Sequence, residues 1–313
     1  MTQLTKDSHH LLLRLWQYQK ERFPIAKHGI LILSFSFCAV CLSSLLRQQY
    51  SWPNFSSAAV AFVCVFGFFL QLRIADEFKD HETDAKYRPE RAVPRGLVSL
   101  TELKYLGYLT ATIQLCLSYW LQPLLLILLF TVWLYMLLMN QEFFVADWLK
   151  KHPFTYLWSH MLIMPLIDLY ATACDWLLYA KFPPDYLLYF LIISFFNGII
   201  IEVGRKTWSP EQERQGVDSY SSNWGLKKSV AIWLVSMTSS GICATITAHK
   251  IGFLIATGGC LAIFKVLLMI FACSFVYSPT PQKAKWLEVF SGLWVMCLYL
   301  ILGIIPMAVS LYL

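Results

Sequence analysis

The chain has 313 residues and a mass of 36.2 kDa, with 58% of positions apolar, 14% charged and a mean hydropathy of +0.55. Soluble domains carry roughly a quarter charged residues, so an ordinary soluble enzyme is excluded. The formal net charge of +6 gives no reason to invoke nucleic acid, because the basic residues sort with membrane topology.

In chain order, residues 1–23 are too polar for the apolar core of a signal peptide. Their periodic Leu11, Leu12, Leu15, Trp16 and Tyr18 predict an amphipathic segment lying along the membrane interface. Residues 24–313 read as a single transmembrane domain. A spanning helix needs about 20 mostly apolar residues. That ruler predicts nine spans, at roughly 24–46, 56–78, 99–119, 121–139, 155–180, 185–204, 228–248, 251–277 and 287–311. The expected fold is an all-α membrane protein, with nine transmembrane helices around a central cavity and cytoplasmic cap loops.

The nine cysteines all lie inside or against these apolar runs. Cys38 and Cys41 form a CxxC with no second pair and no nearby histidine, so all nine read as small membrane hydrophobes. Of the 25 basic residues only Arg47, Lys181 and Lys250 fall near the turns after spans one, five and seven, and Lys265 sits within span eight. The other 21 lie in the N-terminal segment or near the turns after spans two, four, six and eight. The positive-inside rule then puts the N-terminus and these turns in the cytoplasm and the C-terminus on the opposite side.

Most of the unusual chemistry sits in two of those turns. After span two come Asp76, Asp80 and Asp84, spaced i, i+4, i+8 with Glu77 beside them. On a helix these carboxylates form one stripe roughly 12 Å long. Like charges at that spacing repel by a few tenths of a kcal/mol per pair, so a cation should sit among them. Hard oxygen ligands point to Mg²⁺, which binds through one or two carboxylates together with substrate phosphates. Lys86, Arg88, Arg91 and Arg95 follow at once on a Pro-punctuated loop. Carboxylates for a metal beside guanidiniums for phosphate oxygens make a site for a diphosphate. The plainer alternative is a solvated acidic helix end with local ion pairs to Lys79 and Lys86.

After span six come Glu202, Arg205, Lys206, Glu211, Glu213 and Asp218. Ser209, Pro210 and Gln212 predict the capped start of a short helix that Gly216 would stop. Glu202 and Lys206, four apart, suit an ordinary helix ion pair. Equally, Glu202 and Asp218 could supply a second metal site while Arg205 and Lys206 face the diphosphate.

Residues Asp76-Glu77-Phe-Lys-Asp80-His-Glu-Thr-Asp84, followed by Arg88-Pro89-Glu90-Arg91-Ala-Val-Pro94-Arg95-Gly96, resemble the NDxxDxxxD motif and its RPxRPxxxG continuation in the UbiA superfamily of intramembrane prenyltransferases. The resemblance covers nearly the whole chain. It implies that Asp76, Glu77, Asp80 and Asp84 hold Mg²⁺ and an isoprenyl diphosphate. Lys150 and Lys151 look like a basic pair that the family carries in that turn. The family's second, aspartate-spaced motif is not reproduced after span six.

Three intramembrane charges remain. Asp168 and Asp175 lie seven apart on one face of span five, and Lys265 lies in span eight. An ionised group at the bilayer centre costs about 2.5–3.5 kcal/mol on insertion scales, so they should face the bundle interior. Asp168 either orients or deprotonates an acceptor or pairs with Lys265, and Asp175 sits near the outer interface. The expected activity is Mg²⁺-dependent transfer of an isoprenyl group from its diphosphate to a lipophilic, possibly aromatic, acceptor. A terpene cyclase working on the same diphosphate without acceptor is the alternative, and a transporter using the three buried charges is a third.

Overall fold

The computed structural model describes residues 10–213 and 218–311, apart from the side chain of Lys27. Its elements are all helical: α1 Leu11–Arg22, α2 Ile25–Leu46, α3 Phe55–Lys79, α4 His81–Tyr87, α5 Leu100–Leu121, α6 Leu125–Asn140, α7 Ala146–Lys151, α8 Pro153–Met161, α9 Ile163–Trp176, α10 Leu187–Arg205, α11 Tyr220–Trp224, α12 Leu226–Lys250, α13 Leu254–Tyr277, α14 Pro281–Leu302 and α15 Ile304–Ser310. Single 3₁₀ turns interrupt the chain at Glu142–Phe144 and Pro210–Gln212.

The long helices pack in a closed circuit. α2 touches α3, then α5, α6, α9, α10, α12, α13 and α14 follow, each on its predecessor, and α14 returns to α2. Inside this circuit α9 also contacts α2 and α3, and α10 contacts α14. Backbones come close where glycine allows it. A Cβ on Gly204 would lie 2.0 Å from Ser291 Oγ, and that hydroxyl accepts the indole N–H of Trp233 at 2.8 Å. α10, α12 and α14 are thereby locked together near the end of α10.

Nine spans are expected from the sequence, but among the described residues seven helical segments are long and apolar enough to cross a membrane. The other two stretches fold as α5 and α6. α6 is apolar but only 16 residues long, about 24 Å at 1.5 Å per residue. α5 carries Glu102, Lys104 and Gln114, which lower its hydropathy. Span five is two helices, α8 and α9, joined at Leu162. The helix expected after Ser209 is only the 3₁₀ turn, with the anticipated Ser209–Gln212 capping box; Gly216 lies outside the described residues.

α1 has an exposed apolar side and a side turned onto protein. Leu12, Leu13 and Trp16 are exposed, whereas Tyr18 is buried and Arg14 is turned onto protein. Arg14 bonds both Glu102 oxygens, at 3.2 and 2.7 Å, and the Leu97 carbonyl at 3.0 Å. Burial holds the Tyr18 phenol well above its usual pKa, with the charge of Glu77 adding to the effect.

Candidate active site

The acidic stripe keeps its helical register across the α3–α4 junction. The Asp80 N–H bonds the Asp76 carbonyl at 2.9 Å, Asp84 N–H bonds Asp80 at 2.7 Å, and Arg88 N–H bonds Asp84 at 2.8 Å. The side chains meet very different surroundings. Asp76 has 57% of its side chain open and, among the described residues, only a long ion pair, 3.6 Å, to Arg73. Asp80 is half-buried at the junction. Glu77 is 1% exposed and clamped between Arg22 Nε at 2.6 Å and Arg73 Nε at 3.5 Å. Asp84 is buried against Arg91 at 2.5 Å, with Arg88 at 3.6 Å.

The loop arginines divide accordingly. Arg91 and Arg88 serve Asp84. Arg95 reaches back to α1, bonding both oxygens of Glu21 at 2.8 and 2.7 Å. That bond holds the Glu21 carboxyl below its usual pKa. Lys86 is exposed, with its ammonium 4.9 Å from the Tyr87 ring.

The end of α10 faces this stripe. Glu202 takes Arg205 at 2.6 Å and Lys206 at 2.9 Å, so the helix ion pair anticipated from the i,i+4 spacing forms and gains a second partner. Arg205 still has 55% of its side chain open, and the charges of Arg205 and Asp76 act on one another across the gap between α10 and α3. Lys206 lies 6.0 Å from the Tyr220 ring. Burial raises the Tyr220 phenol, and nearby Glu202 raises it further. Asp218 is exposed just ahead of α11.

Four residues outside the expected set complete the region. The Lys79 ammonium bonds the Tyr156 hydroxyl at 3.0 Å and pairs with Glu142. The other Glu142 oxygen lies 3.3 Å from His160 Nε2, and His160 Nδ1 lies 2.9 Å from the Tyr156 carbonyl. Glu142, Phe143 and Phe144 are consecutive left-handed residues, with φ of 48, 53 and 62°. Each such non-glycine position costs of order 1–3 kcal/mol. The Phe143 ring packs edge-on to Tyr135 and His160, which helps to offset the strain. Burial pushes the Glu142 carboxyl up, but the bonds from His160 and Lys79 outweigh it and leave the pKa below normal. One sequence signal points here: Glu142 is the only acid between residues 103 and 146.

The two deeper acids, Asp168 and Asp175, are partnered within the bundle. The Tyr299 hydroxyl bonds Asp168 Oδ2. Asp168 therefore joins α9 to α14, and Lys265 makes no ion pair among the described residues. Asp175, expected near the outer interface, is buried and gripped by Arg47 at 2.8–3.1 Å.

The model of the UbiA prenyltransferase family matches residues 35–296. The chain belongs to this family. A solved structure from a study of digeranylgeranylglyceryl phosphate synthase in membranes is similar in fold, with a TM-score of 0.66 and 16% identity over 96% of this chain and 100% of that one. The apo structure of a UbiA homologue from Aeropyrum pernix K1 gives 0.62 and 13% over 86% and 95%. A comparison with curated proteins finds no match. As a UbiA-family protein, the chain is an integral, multi-pass membrane enzyme that uses a prenyl diphosphate.

Proposed function

We propose that this enzyme transfers an isoprenyl group from its diphosphate to a lipophilic acceptor, with Mg²⁺, at the cytoplasmic face of the membrane. The observation that carries the reading is that the exposed Asp76 carboxylate and the exposed Arg205 guanidinium, at the ends of α3 and α10, stand close enough to act on one another electrostatically.

The residues present fit Mg²⁺. Among the described residues no three His, Cys, Asp or Glu side chains converge into an all-protein cage, and Mg²⁺ characteristically takes one or two carboxylates and completes its shell with waters and phosphate oxygens. Asp76 and Asp80, one turn apart on the open side, would hold it. When bound, the ion supplies neutralisation of the departing diphosphate.

The chain's own groups do the rest. Arg205 and Lys206 hold diphosphate oxygens from the opposite wall, where charge-assisted bonds are strongest. Glu202 orders both cations, as Glu77 and Asp84 order Arg22 and Arg91. The allylic C–O bond breaks with its electron pair on the diphosphate, the acceptor bonds the allylic carbon, and the acceptor releases a proton. Asp168 acts as an anchor between α9 and α14.

The test is purified enzyme incubated with C10, C15 and C20 isoprenyl diphosphates and Mg²⁺, with and without quinone-precursor or phenolic acceptors. Turnover that requires an acceptor is the expected result. A cyclic hydrocarbon or terpene alcohol formed without acceptor would replace transfer by cyclisation, and no diphosphate release under any condition would overturn both.

A further inference from the structure

An apolar groove of about 390 Å³ runs between α8, α10 and α12. Phe154 and Trp158 line one wall, Phe196 and Ile199 the back, and Ala231 and Val235 the other wall. All of these belong to membrane-spanning segments, so hydrocarbon is the surrounding medium and an acyl chain the natural filler.

The foot of the groove has a charge that a neutral lipid does not need. Lys228, Ala231, Ile232 and Val235 fall at i, i+3, i+4 and i+7, which places Lys228 on the groove's own face of α12. Lys227 is four residues from Ala231. Both lysines are exposed, neither has an ion pair among the described residues, and the first turn of α12 holds no acid. Lys151, exposed three residues before Phe154, adds a third cation from α7. Val235 lies about 10 Å along the helix above Lys228, so a chain in the groove puts its headgroup at these ammonium groups.

We infer that this groove is a binding site for an anionic phospholipid, its acyl chain against Phe196, Ile199, Ala231 and Val235 and its headgroup phosphate on Lys227 and Lys228. Basic pockets between helices at a membrane surface select anionic headgroups. Each lysine multiplies affinity about fivefold, or about thirtyfold for the pair. A bound lipid would brace α8 and α10, the helices that also carry Tyr156 and Glu202.

The experiment is lipid competition on the full chain, released from nanodiscs of mixed phosphatidylcholine and phosphatidylglycerol and read by native mass spectrometry, with melting temperature in each lipid alone. The wild type should retain phosphatidylglycerol over phosphatidylcholine by at least tenfold and melt higher in it. The K227Q/K228Q double variant should retain both lipids equally. Val235→Trp, at an exposed position, should reduce retention of both. Equal retention by the wild type, selectivity that survives in the double variant, or retention unchanged by Val235→Trp would each overturn the assignment.

Discussion

The ends of α3 and α10 carry the same kinds of charge in opposite arrangements. On α3 the buried acid, Glu77, is neutralised partly by Arg22 of a distant helix, and the group left most open is the Asp76 carboxylate, with Asp80 half-buried just past the helix end. On α10 the acid, Glu202, is neutralised by the next turn of its own helix, and the group left most open is the Arg205 guanidinium. One wall of the gap is thus anionic and suited to a metal ion, and the other is cationic and suited to phosphate. A diphosphate chelating the metal needs both. The contrast also explains how a chain lacking the second aspartate-spaced motif still presents a charged wall there.

Four experiments break or sharpen that contrast, from the largest expected effect down. Glu77→Ala leaves Arg22 and Arg73 without their buried partner and should cost about 3–5 kcal/mol of stability, seen as a lowered melting temperature; an unchanged value would place Glu77 among the open acids. Asp76→Ala and Asp80→Ala should each lower turnover by about 10²–10³-fold with melting temperature nearly unchanged, since removing a like charge relieves repulsion. Lys206→Gln should raise the KM for the diphosphate about tenfold, equivalent to about 1.4 kcal/mol, with little change in kcat. An unaltered KM would remove Lys206 from the cationic wall.

The smallest effect concerns the strained turn. The Glu142 carboxyl is held below its ordinary pKa of about 4.3. Its contribution to stability is therefore present above the unfolded pKa and is lost as pH falls through the folded one. Melting temperature should drop on acidification below about pH 4.3 in the wild type and less steeply in Glu142→Gln. Parallel profiles would mean that Lys79 and His160 do not depend on this carboxylate.

What was legible in the sequence was local. The spacing of Asp76, Asp80 and Asp84 announces one helical stripe, and the backbone bonds at the α3–α4 junction keep that register. The Glu202–Lys206 pair and the Ser209 capping box follow from spacings of four and three, because helix geometry alone brings such residues together. The family motif was legible for the same reason. The partners of Glu77, Asp175 and Asp168 were not. Arg22 is 55 residues from Glu77, Arg47 is 128 from Asp175, and Tyr299 is 131 from Asp168.

Composition and hydropathy, by themselves, determined that this chain lives in a membrane as helices, because every backbone polar group in hydrocarbon must be satisfied within its own segment. Periodicity determined which acids follow one another in helical register. Only the tertiary structure decided which acids stay open and which are consumed by arginine. That choice depends on how each helix is rotated about its axis and which neighbour it meets, and a local repeat encodes neither.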